Sequence, residues 1–395
     1  MSELLSQVPW FQDPQTHLYR SVIEAYAQPW RHFHTIKHVE NLLLRIRAYA
    51  DDPIAHEPGE TEEENRKRTY AYLFAAVFHD IVYEPWCKIP GKNESESVAV
   101  MYAHLGGLED DEVLQMAADL IRATGDLEYS AGDRFTHLFL GWDRAWVLQA
   151  RTVTDLIRNG NRIWQEYSFY PYHDFVTGHM NIVRRVVNNR SVFDETYVQT
   201  ETIEAYDQYL QNRRPRLAIY PGSFNPYHIG HSYVAAQAHA MFDKVVIATG
   251  VNPVKLPPYI WAGPGFCGEP LPTRVDRGAS SWAPCEPLMD RKSVQMYERV
   301  NFSGMLSDLV RDFTDMGYDV VVVKGVRNAA DLESEMVQAE FTRADNPDVK
   351  YAYIPCPAAL AHVSSSAVRT LKRFGKKYED YLAAFEEVDT TPRPV

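Results

Sequence analysis

The sequence has little cysteine for its length: four in 395 residues, Cys87, Cys267, Cys285 and Cys356, far apart and without a C-x-x-C pair. That argues against a disulfide framework or a zinc ribbon and leaves reduced thiols as the expectation. No apolar stretch reaches membrane-spanning length, and residues 1–13 lack the basic-then-apolar order of a secretory signal. The chain therefore reads as cytoplasmic, without a membrane partner. Positive charge is also short, with 40 Lys and Arg against 53 Asp and Glu and a formal net charge of −13. A general nucleic-acid binder needs a basic surface to displace counterions, so no nucleic-acid partner is expected. Internal repeats and low-complexity tracts are missing too. What is present is 45% hydrophobic residues, enough to build the cores of two or three domains.

Two textures divide the chain. From Ser6 to about Tyr209 long amphipathic stretches such as His38–Tyr49, Glu64–Asp80 and Asp111–Arg122 predict an all-α domain over residues 1–212. The polar junction Gln211 to Arg216 reads as the linker. Over residues 213–395, short apolar runs at Leu217–Tyr220, Lys244–Thr249, Asp319–Val323 and Lys350–Ile354 alternate with helical stretches at about Gly230–Phe242, Gly304–Asp315, Ala329–Ala344 and Ser365–Phe374. Strand–helix alternation predicts an α/β, Rossmann-like domain with a parallel sheet. Residues 253–290, crowded with Pro and Gly and carrying Trp261 and Trp282, fit neither texture. They read as a long ordered loop, either a substrate lid or a neutral insertion.

The most informative string is Tyr220-Pro-Gly-Ser-Phe-Asn-Pro-Tyr-His-Ile-Gly-His231. It predicts a buried strand ending near Tyr220, a glycine turn that lets the backbone approach a phosphate, and a helix opening at Gly230-His231. His228 and His231 stand three apart, so both imidazoles can donate to a polyphosphate. For the bare H-x-G-H tetrapeptide, a Pro/Gly turn with incidental histidines is the competing reading; the whole string is more specific.

Four ordered blocks of this half resemble bacterial phosphopantetheine adenylyltransferases: the 220–231 turn, Val245 to Lys255, Lys324-Gly325-Val326-Arg327 through Asp331 and Glu335 to Asn346-Pro347, and Val363-Ser364-Ser365-Ser366-Ala367-Val368-Arg369. The resemblance implies transfer of AMP from ATP, with Mg²⁺, to a phosphorylated acceptor, first of all 4′-phosphopantetheine, giving dephospho-coenzyme A and pyrophosphate. His231 would hold the triphosphate and stabilise the transition state, Ser223 and Phe224 would line the turn, and Lys255 and Lys324 would neutralise the acceptor phosphate. Arg327 and the Gly325 backbone would grip the ATP phosphates, Glu335 would contact the nucleoside, Leu306 the acceptor, and Ser364, Ser365 and Ser366 the polyphosphate at a helix start. Taken singly, a helix cap explains the serines and solvated charge explains Lys324 equally well. Departures bear on the acceptor: Asn225 stands where the family has Asp, Lys324 where it has Arg, and the 253–290 stretch is inserted. Nicotinate and nicotinamide mononucleotide adenylyltransferases share the H-x-G-H turn and a Ser-rich motif ending in Arg, so His228 and Arg369 keep them as the alternative. Oligomers are common among related transferases, so a homo-oligomer is allowed.

In the first half, His34-Thr-Ile-Lys-His38, Phe78-His79-Asp80-Ile-Val-Tyr83, Asn93-Glu94-Ser-Glu-Ser97 and Leu140-Gly-Trp-Asp143 resemble the HD superfamily of metal-dependent phosphohydrolases. By that resemblance His38, His79, Asp80 and Asp143 would ligate a divalent transition metal (Mn, Fe, Ni or Zn). Glu94 would transfer a proton or hold a second metal, and His34 would orient a ligand or contact a substrate phosphate. Imidazole and carboxylate ligands suit such ions, which activate water and polarise phosphoryl oxygens. A nucleotide sensor without turnover is the rival reading. Ordinary polar residues at a helix end are the blandest.

Overall fold

The computed structural model describes residues 3–51, 61–87, 89–126, 133–191, 193–250, 297–302 and 304–383. Lys255 and the whole 253–290 stretch lie outside these described residues. The chain divides into two units, Met1–Tyr167 with Pro171–Asn212, and Ser168–Tyr170 with Arg213–Val395.

The regular elements of the first unit are helical: α1 (His17–Tyr26), α2 (Ile36–Ala50), α3 (Glu62–Phe78), α4 (Lys92–Leu105), α5 (Asp111–Thr124), α6 (Arg134–Asp143), α7 (Ala145–Leu148), α8 (Val153–Glu166), α9 (Tyr172–Asn188) and α10 (Thr200–Asn212). Their starts follow from capping chemistry. Thr61 and Glu64 form a reciprocal capping box on α3, Thr152 and Asp155 do the same on α8, and Asp133 caps α6. Helix α3 runs through the core: Ala71, Tyr72, Phe74, Ala75, Ala76, Val77 and Phe78 are all buried, and α2, α4 and α5 pack around it. The small Ala side chains let those neighbours approach closely. The helix ends at Phe78, two residues before the periodicity suggested. His79 and Asp80 therefore sit on the turn that leaves it, and the described part of this unit has no helix long and apolar enough to cross a membrane.

The second unit alternates β1 (Arg216–Gly222), α11 (Ile229–Met241), β2 (Lys244–Gly250), β3 (Glu298–Phe302), α12 (Leu306–Asp315), β4 (Asp319–Val326), α13 (Ala329–Asp345), β5 (Lys350–Pro355) and α14 (Ser365–Arg373). The strands form one parallel sheet in the order β3-β2-β1-β4-β5. Strands β1 and β2 are buried along most of their length, which is why they read as continuous apolar runs. Strand β3 is an edge strand absent from the sequence reading: Glu298-Arg-Val-Asn-Phe302 alternates half-buried and exposed residues and carries no apolar run. The order of strand addition reverses at β1: β2 and β3 are added on one side of it, β4 and β5 on the other, all parallel, and in such sheets ligands bind outside the carboxyl ends of the strands at that switch.

Candidate functional site

A cavity of about 300 Å³ opens where the switch rule places it. Its lining includes Tyr220, Pro221 and Gly222 from the end of β1, Lys324 and Gly325 from the end of β4, and His228 and His231 at the start of α11. Two glycines are needed for close approach. A Cβ on Gly325 would lie 2.6 Å from Cγ2 of Val234, the contact by which α11 lies on β4, and one on Gly230 would lie 3.1 Å from the His228 ring. Phe224, also lining the cavity, has φ +44°, a left-handed conformation that is strained for a bulky residue and is tolerated where a turn is over-determined.

The His228 N–H donates to Nδ1 of His231 at 3.2 Å. An accepting Nδ1 carries no proton, so the neutral ring holds its proton on Nε2. Burial, helped by His228 and the positive charge of Arg327, lowers the His231 pKa to about 3; burial and Arg327 lower His228 to about 4. The two rings stack with centroids 3.6 Å apart, and Phe224 meets His231 edge-on at 5.0 Å. Both histidines are thus rigid and uncharged. The cations are Lys324 and Arg327. Lys324 Nζ lies 2.9 Å from Glu335, and Arg327 makes a bidentate pair with Asp331 at 2.6 and 2.9 Å that raises its pKa further. Helix α14 begins at the cavity, Ser364 capping it by accepting the Ala367 N–H at 3.1 Å. Two helix N-termini therefore face one space, an arrangement suited to a polyphosphate.

A family described as cytidylyltransferase-like matches residues 219–261. The phosphopantetheine adenylyltransferase of Beijerinckia indica subsp. indica is 30% identical over 159 residues, 40% of this chain and 84% of the relative. That of Clostridium tetani is 30% identical over 161 residues, 40% of this chain and 85% of the relative, and that of Micrococcus luteus 31% over 169 residues, 43% and 93%. The chain belongs to the phosphopantetheine adenylyltransferase family. The matches cover less than half of it, and the cytidylyltransferase-like stretch lies in the second unit, where it holds the end of β1 and all of α11.

Of the site residues expected in this adenylyltransferase unit, the cavity gathers Phe224, His228, His231, Lys324, Gly325, Arg327, Glu335, Ser364 and Ser365. Ser223 and Ser366 are exposed and outside its lining, and Leu306 begins α12 without reaching it. The serine block also has a mechanical task. Ser365 Oγ donates to Pro226 O at 3.0 Å, Arg369 donates to Asn225 O, and its other nitrogen reaches Ser366 Oγ at 3.0 Å. The 225–226 carbonyls are thereby fixed beside the histidines. Asp331, Ser334, Cys356 and Leu360 line the cavity without having been assigned a role. Burial raises the Cys356 pKa and keeps it a thiol.

The first unit holds a second polar cluster. His38 Nε2 lies 3.1 Å from His79 Nε2 and 3.0 Å from Asp143 Oδ1, and Asp80 Oδ2 lies 2.9 Å from His79 Nε2. The donor atoms of His38, His79 and Asp80 converge within 4.8 Å. Two nitrogens each about 2.1 Å from one ion would stand close to the observed separation. His79 Nδ1 is 3.1 Å from Ala76 O; a carbonyl only accepts, so Nδ1 carries the proton and Nε2 offers its lone pair to the cluster, the usual support for a ligating imidazole. The donor set therefore fits a divalent transition metal. Burial opposes charging of His79, but Asp80 and Asp143 outweigh it and hold its pKa up to about 10, so without an ion Nε2 carries a proton, and its lone pair becomes available as a metal displaces that proton.

Glu94 is not gathered into this cluster; its carboxylate lies over Gly125, where a Cβ would come within 2.9 Å. The Asn93–Ser97 motif ties α4 to the segment after Asp80, Ser97 Oγ accepting the Val82 N–H at 3.1 Å and Asn93 donating to Glu84 O at 3.3 Å. Arg31, absent from the sequence reading, donates to His34 O, Asp80 O and Ile81 O at 3.1, 2.8 and 3.0 Å and pins the turn that carries Asp80.

Proposed function

We propose that the second unit transfers AMP from ATP, entering as its Mg²⁺ complex, to 4′-phosphopantetheine. The observation that carries this reading is one cavity lined by the neutral His231, by Lys324 and Arg327, and by two helix N-termini. An acceptor phosphate oxygen attacks the α-phosphorus of ATP; the new P–O bond forms as the bond to the β-phosphate's bridging oxygen breaks, and pyrophosphate carries away the electron pair. Nothing in this displacement requires a covalent enzyme intermediate, so positioning and charge stabilisation carry it. His231 Nε2–H donates to a non-bridging oxygen as charge builds there. Arg327 suits bidentate contact with the leaving phosphates, and Lys324 the acceptor's point charge, with Lys255 as a further cation. In the free protein Asp331 and Glu335 hold these two cations, so substrate phosphates exchange one set of anionic partners for another.

The first unit we read as an HD-type phosphohydrolase acting on a nucleotide or phosphate ester, with His38, His79, Asp80 and Asp143 as the metal-holding residues. The ion when bound lowers the pKa of water and polarises a phosphoryl oxygen. The chain's own residues supply the anchored lone pair of His79, the turn fixed by Arg31 and the His34 ring beside them.

Pyrophosphate release from ATP with 4′-phosphopantetheine, nicotinate mononucleotide or nicotinamide mononucleotide tests the acceptor. Release with phosphopantetheine alone is expected. Release only with a mononucleotide would move the reading to pyridine nucleotides, and silence with all three would reject both.

A further inference from the structure

The carboxylate of Glu166, the last residue of α8, is fully buried and accepts five hydrogen bonds from two remote parts of the first unit. Its two oxygens divide the work. Oε1 takes the backbone N–H groups of His32, Phe33 and His34 at 2.7, 2.7 and 2.9 Å; Oε2 takes His34 Nδ1 at 2.6 Å and the Tyr83 hydroxyl at 2.8 Å. Oε1 alone would staple the loop, and a neutral amide oxygen could do that. Burying a full charge is costly unless it is matched, and here the second oxygen is committed to the ring of a histidine that keeps 22% of its side chain exposed.

That ring is fixed on its face as well. It lies against Tyr83 with centroids 4.3 Å apart and meets the His38 ring edge-on at 5.8 Å. A carboxylate only accepts, so Nδ1 donates to Glu166; the buried negative charge is matched when the ring is doubly protonated, and Nε2–H is then the one ring donor left for an anion. Tyr83, the final residue of the 78–83 motif, thus helps to hold Glu166 and covers His34.

We infer that Glu166 is a positioning residue that locks the His34 ring so that Nε2 contacts the phosphoryl group of a substrate bound beside His38, His79 and Asp80. This rests on the metal-dependent reading of the first unit. Glu166 acts through His34, and His34 touches the anion.

The test uses the full chain, Mn²⁺ and then inorganic phosphate, followed by calorimetry. In Glu166→Gln the three backbone donors oblige the amide oxygen to stay in the Oε1 place, so the amide nitrogen replaces Oε2; the ring must then either give up its Nδ1 proton, and with it the positive charge that the carboxylate matched, or turn away. Expected are Mn²⁺ affinity within about 3-fold of wild type and phosphate affinity of the Mn²⁺-loaded protein reduced about 10-fold, with His34→Gln the same. The double variant loses no more than either single one, because the two residues act through one contact. Unchanged phosphate affinity in both variants, or losses that add in the double variant, would overturn the inference while leaving the metal reading standing. Failure of the wild-type chain to bind Mn²⁺ would remove that reading, and the inference with it, at the first titration. Should Glu166→Gln not fold, NMR of the diamagnetic Zn²⁺-loaded wild type decides: a protected His34 Nδ1 proton, with phosphate shifting the Nε2 resonance, is expected, and no shift on phosphate addition overturns the proposal.

Discussion

Substituting Gly325 with Ala places a methyl group on the contact that holds α11 against β4. The new Cβ would sit 2.6 Å from Val234 Cγ2 and 3.7 Å from its Cβ and Cγ1, whereas carbon atoms pack at about 3.5–4.0 Å. Roughly 1 Å must be absorbed. Val234 is buried to 1% exposure on a helix, where a valine has essentially one rotamer and cannot swing aside, so the helix must move off the strand. Overpacking of this kind costs about 1–3 kcal/mol, a fall of roughly 2–12 °C in Tm for a unit of this size. The relevant transition is the one that ATP shifts upward, since a ligand stabilises only the unit that binds it. Because α11 carries His231 and β4 leads to Arg327, adenylyl transfer should fall with stability. Val234→Ala removes the obstructing methyl groups at its own cost of about 2 kcal/mol, and in the double variant the added methyl should cost almost nothing further. A Gly325→Ala chain that melts within 1 °C of wild type, or costs that add in the double variant, would refute the packing argument.

Three other outcomes follow from the geometry. Burial lowers His179, beside Tyr206 in the first unit, to about 4. Its unfolded counterpart gains a proton near 6.5, so about 3 kcal/mol of stability should be lost as the pH falls from 6.5 to 4, with a shallower acid limb for His179→Phe in denaturant titrations. Nitrogen-15 NMR of the His231 imidazole should report a neutral Nε2–H tautomer that does not titrate between pH 5 and 9; a titration near 6.5 would contradict the cap geometry. Mn²⁺ at about 100 times its Kd should stabilise the first unit by about 2.7 kcal/mol in thermal melts, and His79→Ala should abolish that shift.

The legible parts of this molecule are those whose physics is local. Continuous apolar runs marked β1, β2, β4 and β5, and the Gly-rich turn with its two histidines lies within one strand–turn–helix. Strand β3 was not legible because an edge strand with one half-buried face needs no apolar run. The pairing of Arg327 with Asp331 spans four residues on one turn, yet its place in the cavity depends on the sheet order. Glu166 left no signal at all: its donors lie 132 to 134 residues earlier in the loop and 83 earlier at Tyr83, and a lone Glu at a helix end looks like solvated charge. Glu94 shows the converse, a motif residue that the fold sets against Gly125 instead of among the converging histidines.

The most direct test of the central claim runs the reaction backwards: ATP formation from dephospho-coenzyme A and pyrophosphate by the purified chain, with wild type and His231→Ala compared. The account predicts ATP formation by the wild type and a loss of about 100-fold or more in the variant, the scale expected for removing one donor from a developing charge. No ATP from the wild type, or equal rates from both proteins, would contradict it.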